Sequence, residues 1–493
     1  MTRAKVTSLR VRNCNDAPVR SDARFVLYWM TATRRAHWNF ALDRAAEHAR
    51  RLGKPLVVLE ALRCDYPWAS DRMHAFVIDG MRDNRRAFAR TPFSYHPYVE
   101  PTTGAGRGLL LALAADACLV VTDEYPCFFL PRMIATAAER VGVRMEAVDS
   151  LGLMPLSLPT KSYLRAHDFR RFLQRELPSH LGSAPRASHS RTVLPILPRL
   201  PEAITRRWPA ADLDRLREPD GLAALPIDHE VRPTSLRGGA RAGRQALGEF
   251  VGERLGSYGL CSRDPMVENT SGLSPWLHFG HVSAHEILAA VTKKEGWQPS
   301  QASMHIHGKR EGWWGMSRTA EVFLDELVTW RELCHHTCWQ RPDYDRYESL
   351  PGWARETLGE HASDPRPYLY DLEQFEQAST HDEIWNACQQ QLRKQGRIHS
   401  YLRMLWGKKV LHWSPSPRHA LETMIQLNNK YSLDGRDPNS YGGIFWTLGR
   451  HDRAWGPIRP VFGKIRYMSS ESTRSKMRMA GYVRHWTGEV EEP

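Results

Sequence analysis

At 493 residues, 42% hydrophobic and 25% charged, the chain has the make-up of an ordinary soluble globular protein with room for two or three domains. No apolar stretch reaches the roughly 18 to 20 residues that span a bilayer, and the start, MTRAKVTSLRVRNCND, lacks the apolar core of a signal peptide, so neither a membrane protein nor a secreted one is expected. A net charge of +13 attracts polyanions and is silent about fold.

In chain order, four runs read as short strands: residues 24–30 (RFVLYWM), 55–60 (PLVVLE), 117–122 (ACLVVT) and 144–148 (RMEAV). Helical patterns separate them, over 38–52 and 73–90 for instance, and 109–121 reads as a buried helix running into the third strand. That alternation predicts a doubly wound, parallel, Rossmann-like α/β domain over 22–160. Residues 161–243 carry a stretch rich in Pro, Arg, Ser and Gly, read as an inter-domain linker holding one helix. From 244 onward strand signals vanish, and an all-α domain is predicted over 244–486. Eight cysteines, at 14, 64, 118, 127, 261, 334, 338 and 388, form no regular framework. They fit reduced thiols in a cytoplasmic or otherwise intracellular protein. A monomer is the default expectation.

Two apparent motifs carry little. Residues 104–108 (GAGRG) miss the GxGxxG spacing and lack an acidic ribose partner, so a turn before a helix is expected. Cys334, His335, His336 and Cys338 have the spacing of one helix face and no second ligand pair follows, so no metal is predicted.

The tryptophans and cations say more. Of 17 tryptophans, 13 lie after residue 275, in the helical half, where a Trp-rich core is the plainer reading for any single one. Glu326 and Trp330 sit four apart, which puts a carboxylate and an indole on one helix face; a partly desolvated carboxylate there has its pKa pushed up. Trp406 and Trp413 are seven apart on one face, with Trp385 a segment earlier, and closely spaced indoles can pass single electrons. Residues 463–484 hold Lys464, Arg466, Arg474, Lys476, Arg478 and Arg484 against Glu471 alone. A second cluster, Arg393, Lys394, Arg397, Arg403, Lys408 and Lys409, is interleaved with Tyr401, Trp406 and Trp413. Cations beside stacking aromatics are what a nucleic-acid groove requires.

Residues 428–468 (NNKYSLDGRDPNSYGGIFWTLGRHDRAWGPIRPVFGKIRYM) combine an Asn pair, an acidic turn, two tryptophans and a basic tail. Such a mixture is poor core material and predicts a wet, charged cavity. The stretch closely resembles the C-terminal flavin-binding region of class II cyclobutane pyrimidine dimer photolyases, which are light-driven DNA repair enzymes. The resemblance covers most of residues 24–480. It is strong after 250 and weak before 160, with AHDFRRF (166–172) the best short match in the early part.

The resemblance implies reduced FAD as cofactor and UV-damaged DNA as partner. Tyr258, Thr270, Ser271, Gly272, Leu273 and Ser274 match the flavin cradle, Arg403 and Asp434 an ion pair flanking the isoalloxazine, and Gly435 and Arg436 the adjoining turn. Asn428 matches the residue beside flavin N5. Glu326 matches the acid that hydrogen-bonds the dimer, Trp330 and Trp446 its aromatic walls, and Met404 a thioether packed on a thymine. Trp406, Trp385 and Trp413 match the photoreduction relay, and Arg453, Lys464 and Arg466 are the DNA contacts expected. The implied reaction is electron transfer from excited reduced FAD to a flipped-out dimer. Whether a second, antenna chromophore sits in the α/β domain is left open.

Departures from the family pattern are also legible. His335–His336 stand where Asp–Asn is usual, Leu405 where a Tyr is, and Ser262 where an Arg is, with Arg263 one place on. Residues 297–319 look like an insertion of about ten residues. Two alternatives belong to other classes: a cryptochrome-like FAD light sensor without repair activity, and a basic helical nucleic-acid-binding protein without a cofactor. Retention of Glu326, Trp330, Asn428 and Trp446 favours repair over sensing, and the colour of the purified protein separates the third reading. His335 and His336 keep a different lesion, such as the (6-4) photoproduct, in view.

Overall fold

The computed structural model describes residues 6–260 and 264–488. Six strands, β1 (Val11–Asn13), β2 (Phe25–Met30), β3 (Leu56–Leu62), β4 (Ser94–Val99), β5 (Ala117–Asp123) and β6 (Met145–Val148), form one sheet in the order β1-β6-β5-β2-β3-β4. Every neighbouring pair is parallel except β1 with β6. All six residues of β2 are buried, because both faces of the sheet are covered. Val26, Tyr28 and Met30 face one core with Ala41, Ala45 and Ala49 of α1 (Phe40–Leu52). After α2 (Asp71–Phe88), helices α3 (Leu109–Ala115) and α4 (Leu130–Arg140) cover Phe25, Leu27 and Trp29 on the other face. The predicted doubly wound sheet is therefore present, with two additions: the three-residue antiparallel β1 and the edge strand β4, which carries Pro97. Residues 104–108 form the turn ahead of α3, where Gly108 takes φ 91°.

The stretch 161–243, expected to hold one helix, holds two, α5 (Ala166–Glu176) ahead of its proline-rich part and α6 (Glu202–Arg207) within it, and α7 (Gly239–Glu249) starts at its end. Among the described residues no strand follows β6. The chain continues through α8 (Ser274–His278), α9 (Ala284–Glu295), α10 (Arg318–Leu324) and a π-helical turn, Asp325–Trp330, into α11 (Arg331–Gln340). Then come α12 (Gly352–Glu360), α13 (Leu372–Glu376), α14 (Glu383–Gln395) and α15 (Ser400–Trp413). The last helices are α16 (Pro417–Tyr431), α17 (Pro438–Thr447), α18 (Ser470–Lys476) and α19 (Met479–Thr487). Among the described residues no helix is long and apolar enough to cross a membrane.

The helical part has two cores. One gathers Trp276, Trp297, Trp313 and Trp314 with α5, α9 and α10. The other gathers Trp385, Trp406 and Trp413 with α15, α16, α17 and α19. Cys334, His335, His336 and Cys338 lie buried on α11, where His335 Nδ1 meets the Arg331 carbonyl at 2.8 Å and His336 Nε2 the Lys161 carbonyl at 2.9 Å. Arg72 of α2 ties the α/β part to the helices by donating to the carbonyls of Tyr431 (2.6 Å) and Arg393 (2.5 Å).

Candidate active site

Residues of both helical cores line one cavity of about 1140 Å³. Its walls come from α5, the segment 265–275, the π-helical turn, and helices α14 to α17. The turn sits where a helix widens by one residue, a feature frequent at functional sites. Asp325 points back toward α5, held by Arg170 through bonds of 2.8 and 3.0 Å. Glu326 points into the cavity and is exposed there, although protein surrounds it closely. Burial pushes its carboxyl up to about 7, Asp325 adds to the rise, and Arg310 and Arg170 oppose it. Trp330, Met404, Asn428 and Trp446 line the same cavity. Asn428 donates to Ser440 Oγ at 2.6 Å, which fixes its amide.

The residues expected to cradle a cofactor are brought together here: Tyr258, Thr270, Ser271, Gly272, Leu273, Ser274, Arg403 and Asp434 all line the cavity. Arg403 pairs with Asp434 at 3.2 Å. Burial raises the Asp434 carboxyl, but Arg403 and the hydroxyls of Ser432 and Ser274 outweigh it and hold it below its ordinary value. Two of the predicted cofactor residues sit elsewhere. Gly435 lies behind the wall, where a Cβ would meet the Asn428 carbonyl at 2.7 Å. Arg436 is buried with φ 63° and donates to the Asn429 carbonyl at 2.8 Å and to Met73 Sδ of α2 at 3.0 Å, a contact between the two parts of the chain.

Trp406 lines the cavity and heads a row of buried indoles. Its ring stacks on Trp385 at 6.3 Å with a 7° tilt, and Trp385 meets Trp413 at 6.1 Å. Trp385 Nε1 donates to the Trp406 carbonyl and Trp406 Nε1 to Gln389, each at 3.0 Å, so the row is locked. Trp446 stands in a different setting. Cations and indoles alternate there: Arg453 over Trp455 (4.4 Å), Arg466 over Trp455 (4.9 Å) and over Trp446 (5.6 Å), and Lys408 over Trp446 (4.8 Å). Lys408 is fully buried and donates to the Thr447 carbonyl at 2.7 Å; burial pushes its ammonium down to about 7. Arg453 and Arg466 line the cavity, whereas exposed Lys464 lies outside it. Ser262 and Arg263 fall outside the described residues.

Arg165 and Arg310 line the cavity with no signal in the sequence, and Arg170 lies within the AHDFRRF match, which assigns it no role. Gln391 and Gln395 are polar and four apart, a spacing that puts both on one face of α14, and both line the cavity. A large, partly ionic ligand fits this cavity. The buried His399 Nδ1 and Trp486 Nε1 have no hydrogen-bond partner, and both residues line it. Unpaired buried polar atoms of this kind call for a ligand that supplies donors and acceptors.

A parallel α/β sheet joined to a helical part with a large cavity is the photolyase fold. A bacterial class III photolyase from Agrobacterium tumefaciens matches with TM-score 0.67 at 18% identity, over 95% of this chain and 87% of that one. No protein-family model matches the chain. Curated relatives do. The deoxyribodipyrimidine photo-lyase of Methanothermobacter thermautotrophicus is 33% identical over 485 residues, covering 98% of this chain and 99% of the relative. Those of Oryza sativa subsp. japonica and Potorous tridactylus are 32% and 30% identical, over 93% and 95% of this chain and 86% and 82% of theirs. The chain belongs to the deoxyribodipyrimidine photo-lyase family, whose membership implies an enzyme of DNA photorepair with a flavin cofactor.

Proposed function

We propose that this enzyme splits cyclobutane pyrimidine dimers in DNA under light, as a class II type photolyase, with FAD in the cavity. The observation that supports this most is the meeting of Glu326, Trp330, Trp446, Met404 and Asn428 in one cavity with the Arg403–Asp434 pair and the head of the indole row. FAD in its reduced form, when bound, supplies the light-excited electron and takes it back.

The protein's own residues do the rest. Thr270, Ser271 and Ser274 offer hydroxyls, and Gly272 and Leu273 backbone amides, to phosphates and the ribityl chain. Arg403 and Asp434 would hold the ring system, and the Asn428 amide, fixed by Ser440, would offer it a hydrogen bond. The extruded dimer lies between Trp330 and Trp446 with Met404 against it. Glu326, protonated near neutral pH, donates a hydrogen bond to a dimer carbonyl, where negative charge develops. Trp406, Trp385 and Trp413 relay electrons inward to restore the reduced state. The Arg466 guanidinium over Trp446 disfavours an electron hole there, which suits a wall rather than a relay member. Arg453, Lys464 and Arg466 bind phosphates.

A sensor without repair has no use for a carboxyl, two indoles and a thioether gathered in one cavity. The test is an oligonucleotide duplex with one thymine dimer, and a matched one with a (6-4) photoproduct, given to chemically reduced protein in light and dark. Light-dependent restoration of the first alone is expected. Restoration of the second alone would reassign the lesion, and photoreduction without repair of either would reassign the class.

A further inference from the structure

The loop of residues 303–316, between α9 and α10, is exposed yet firmly built. Trp313 and Trp314 are buried beneath it, and Glu321 accepts from the amides of Gly312, Gly315 (2.8 Å) and Met316 (3.3 Å). Helix α5 holds its middle. Gln174 accepts from the amides of His307 (3.1 Å) and Gly308 (2.8 Å) and donates to the Lys309 carbonyl (3.2 Å). Arg170, while clamping Asp325, also donates to the Gly308 carbonyl at 2.9 Å. Gly308 takes φ 70°, and a Cβ there would meet Arg171 Cγ at 2.5 Å, so the loop lies flush on the helix.

This seating delivers Arg310 to the cavity wall on the side of Glu326. Its side chain stays 48% exposed, with Glu311 2.7 Å away. Arg165, immediately ahead of α5, is exposed and lines the same cavity. Of the carboxylates nearby, Asp325 is taken up by Arg170, burial pushes Glu326 up to about 7, and Glu311 is the one paired with Arg310, in an exposed ion pair that a strand phosphate can replace. We infer that Arg310 and Arg165 form a second phosphate-binding wall, separate from Arg453 and Arg466, that grips the backbone of the damaged strand beside the extruded dimer. This rests on the DNA-repair reading above.

The experiment is fluorescence anisotropy of a labelled duplex carrying one thymine dimer, titrated at several salt concentrations with wild type, Arg310→Gln, Arg310→Lys and Arg466→Gln. Arg310→Gln is expected to bind roughly three- to tenfold more weakly, with a salt slope shallower by about 0.7 to 0.9, one phosphate contact's share. Arg310→Lys should keep most of both. Gly308→Val, which must lift the loop from α5, is expected to weaken binding with Arg310 still present. Wild-type affinity and slope in Arg310→Gln, alongside weakened Arg466→Gln, overturns this inference and leaves the repair reading standing. A wild type that does not bind the duplex overturns both.

Discussion

At the scale of single residues the chemistry turns on Glu326. The protein packed round the cavity, into which this side chain is exposed, pushes its carboxyl up to about 7, with the neighbouring Asp325 adding to the rise. The folded pKa is raised, so the proton is fully present below about 4.5 and is lost as pH climbs through about 7; stability linked to this group declines over the same window. Repair by reduced enzyme at saturating dimer DNA is therefore expected to fall as pH rises through about 7. Glu326→Gln, which donates at any pH, should flatten that limb, and a profile identical to wild type would count against the role. Glu326→Ala is expected to lose on the order of tenfold or more in repair yield while retaining flavin. Glu326 and Trp330 were legible in the sequence because both sit on one element, four residues apart. Arg170 was not, since it meets Asp325 across 155 positions of chain and no local pattern records such a meeting.

Among the secondary-structure elements, α14 and α15 act as a pair. Trp406 and Trp413 share one face of α15 seven residues apart, as their spacing indicates, and the structure sets Trp385 of α14 between them. Trp385→Phe is expected to slow light-driven flavin reduction at least about tenfold, because electron hopping depends steeply on the gap between aromatic partners, while repair by chemically reduced enzyme persists. Loss of flavin from that variant would instead mark Trp385 as structural. The turn from α16 to α17 is the second sensitive element. Gly435→Ala drives a methyl toward the Asn428 carbonyl and Ser432 carbonyl, 2.7 and 3.0 Å from the ideal Cβ. It is expected to cost about 1–3 kcal/mol in thermal unfolding and to weaken flavin retention, since Asp434 and Asn428 move with the turn. Strands β2 and β5 could be read from their unbroken apolar runs. β4, at the sheet edge with Ser94, His96 and Pro97 breaking its apolar pattern, and the three-residue β1 offered no such run. Helix α5 is short and follows Pro- and Ser-containing sequence, so its part in the cavity wall emerges only once the loop at 307–309 packs on it.

For the whole molecule, the α/β part and the helices are joined by buried polar groups that composition cannot reveal. Arg72 reaches three carbonyls 320 to 359 positions away, and Glu332 accepts from the amides of Leu153 (2.6 Å) and Met154 (3.3 Å). Arg72→Met strips donors from carbonyls that stay buried and is expected to cost about 3 kcal/mol, read from the urea midpoint; an unchanged midpoint would show the join to be held by apolar packing instead. The charge of +13, legible from the start, becomes specific only as Arg453, Arg466, Arg310 and Arg165 gather around one cavity. That flavin and lesion share this cavity is the central claim, and a crystal structure of the reduced enzyme with a duplex carrying one thymine dimer tests it most directly. Expected is an extruded dimer between Trp330 and Trp446, in contact with the flavin and with a carbonyl at hydrogen-bond distance from Glu326. A dimer still stacked in the duplex, or lodged away from these residues, would contradict it.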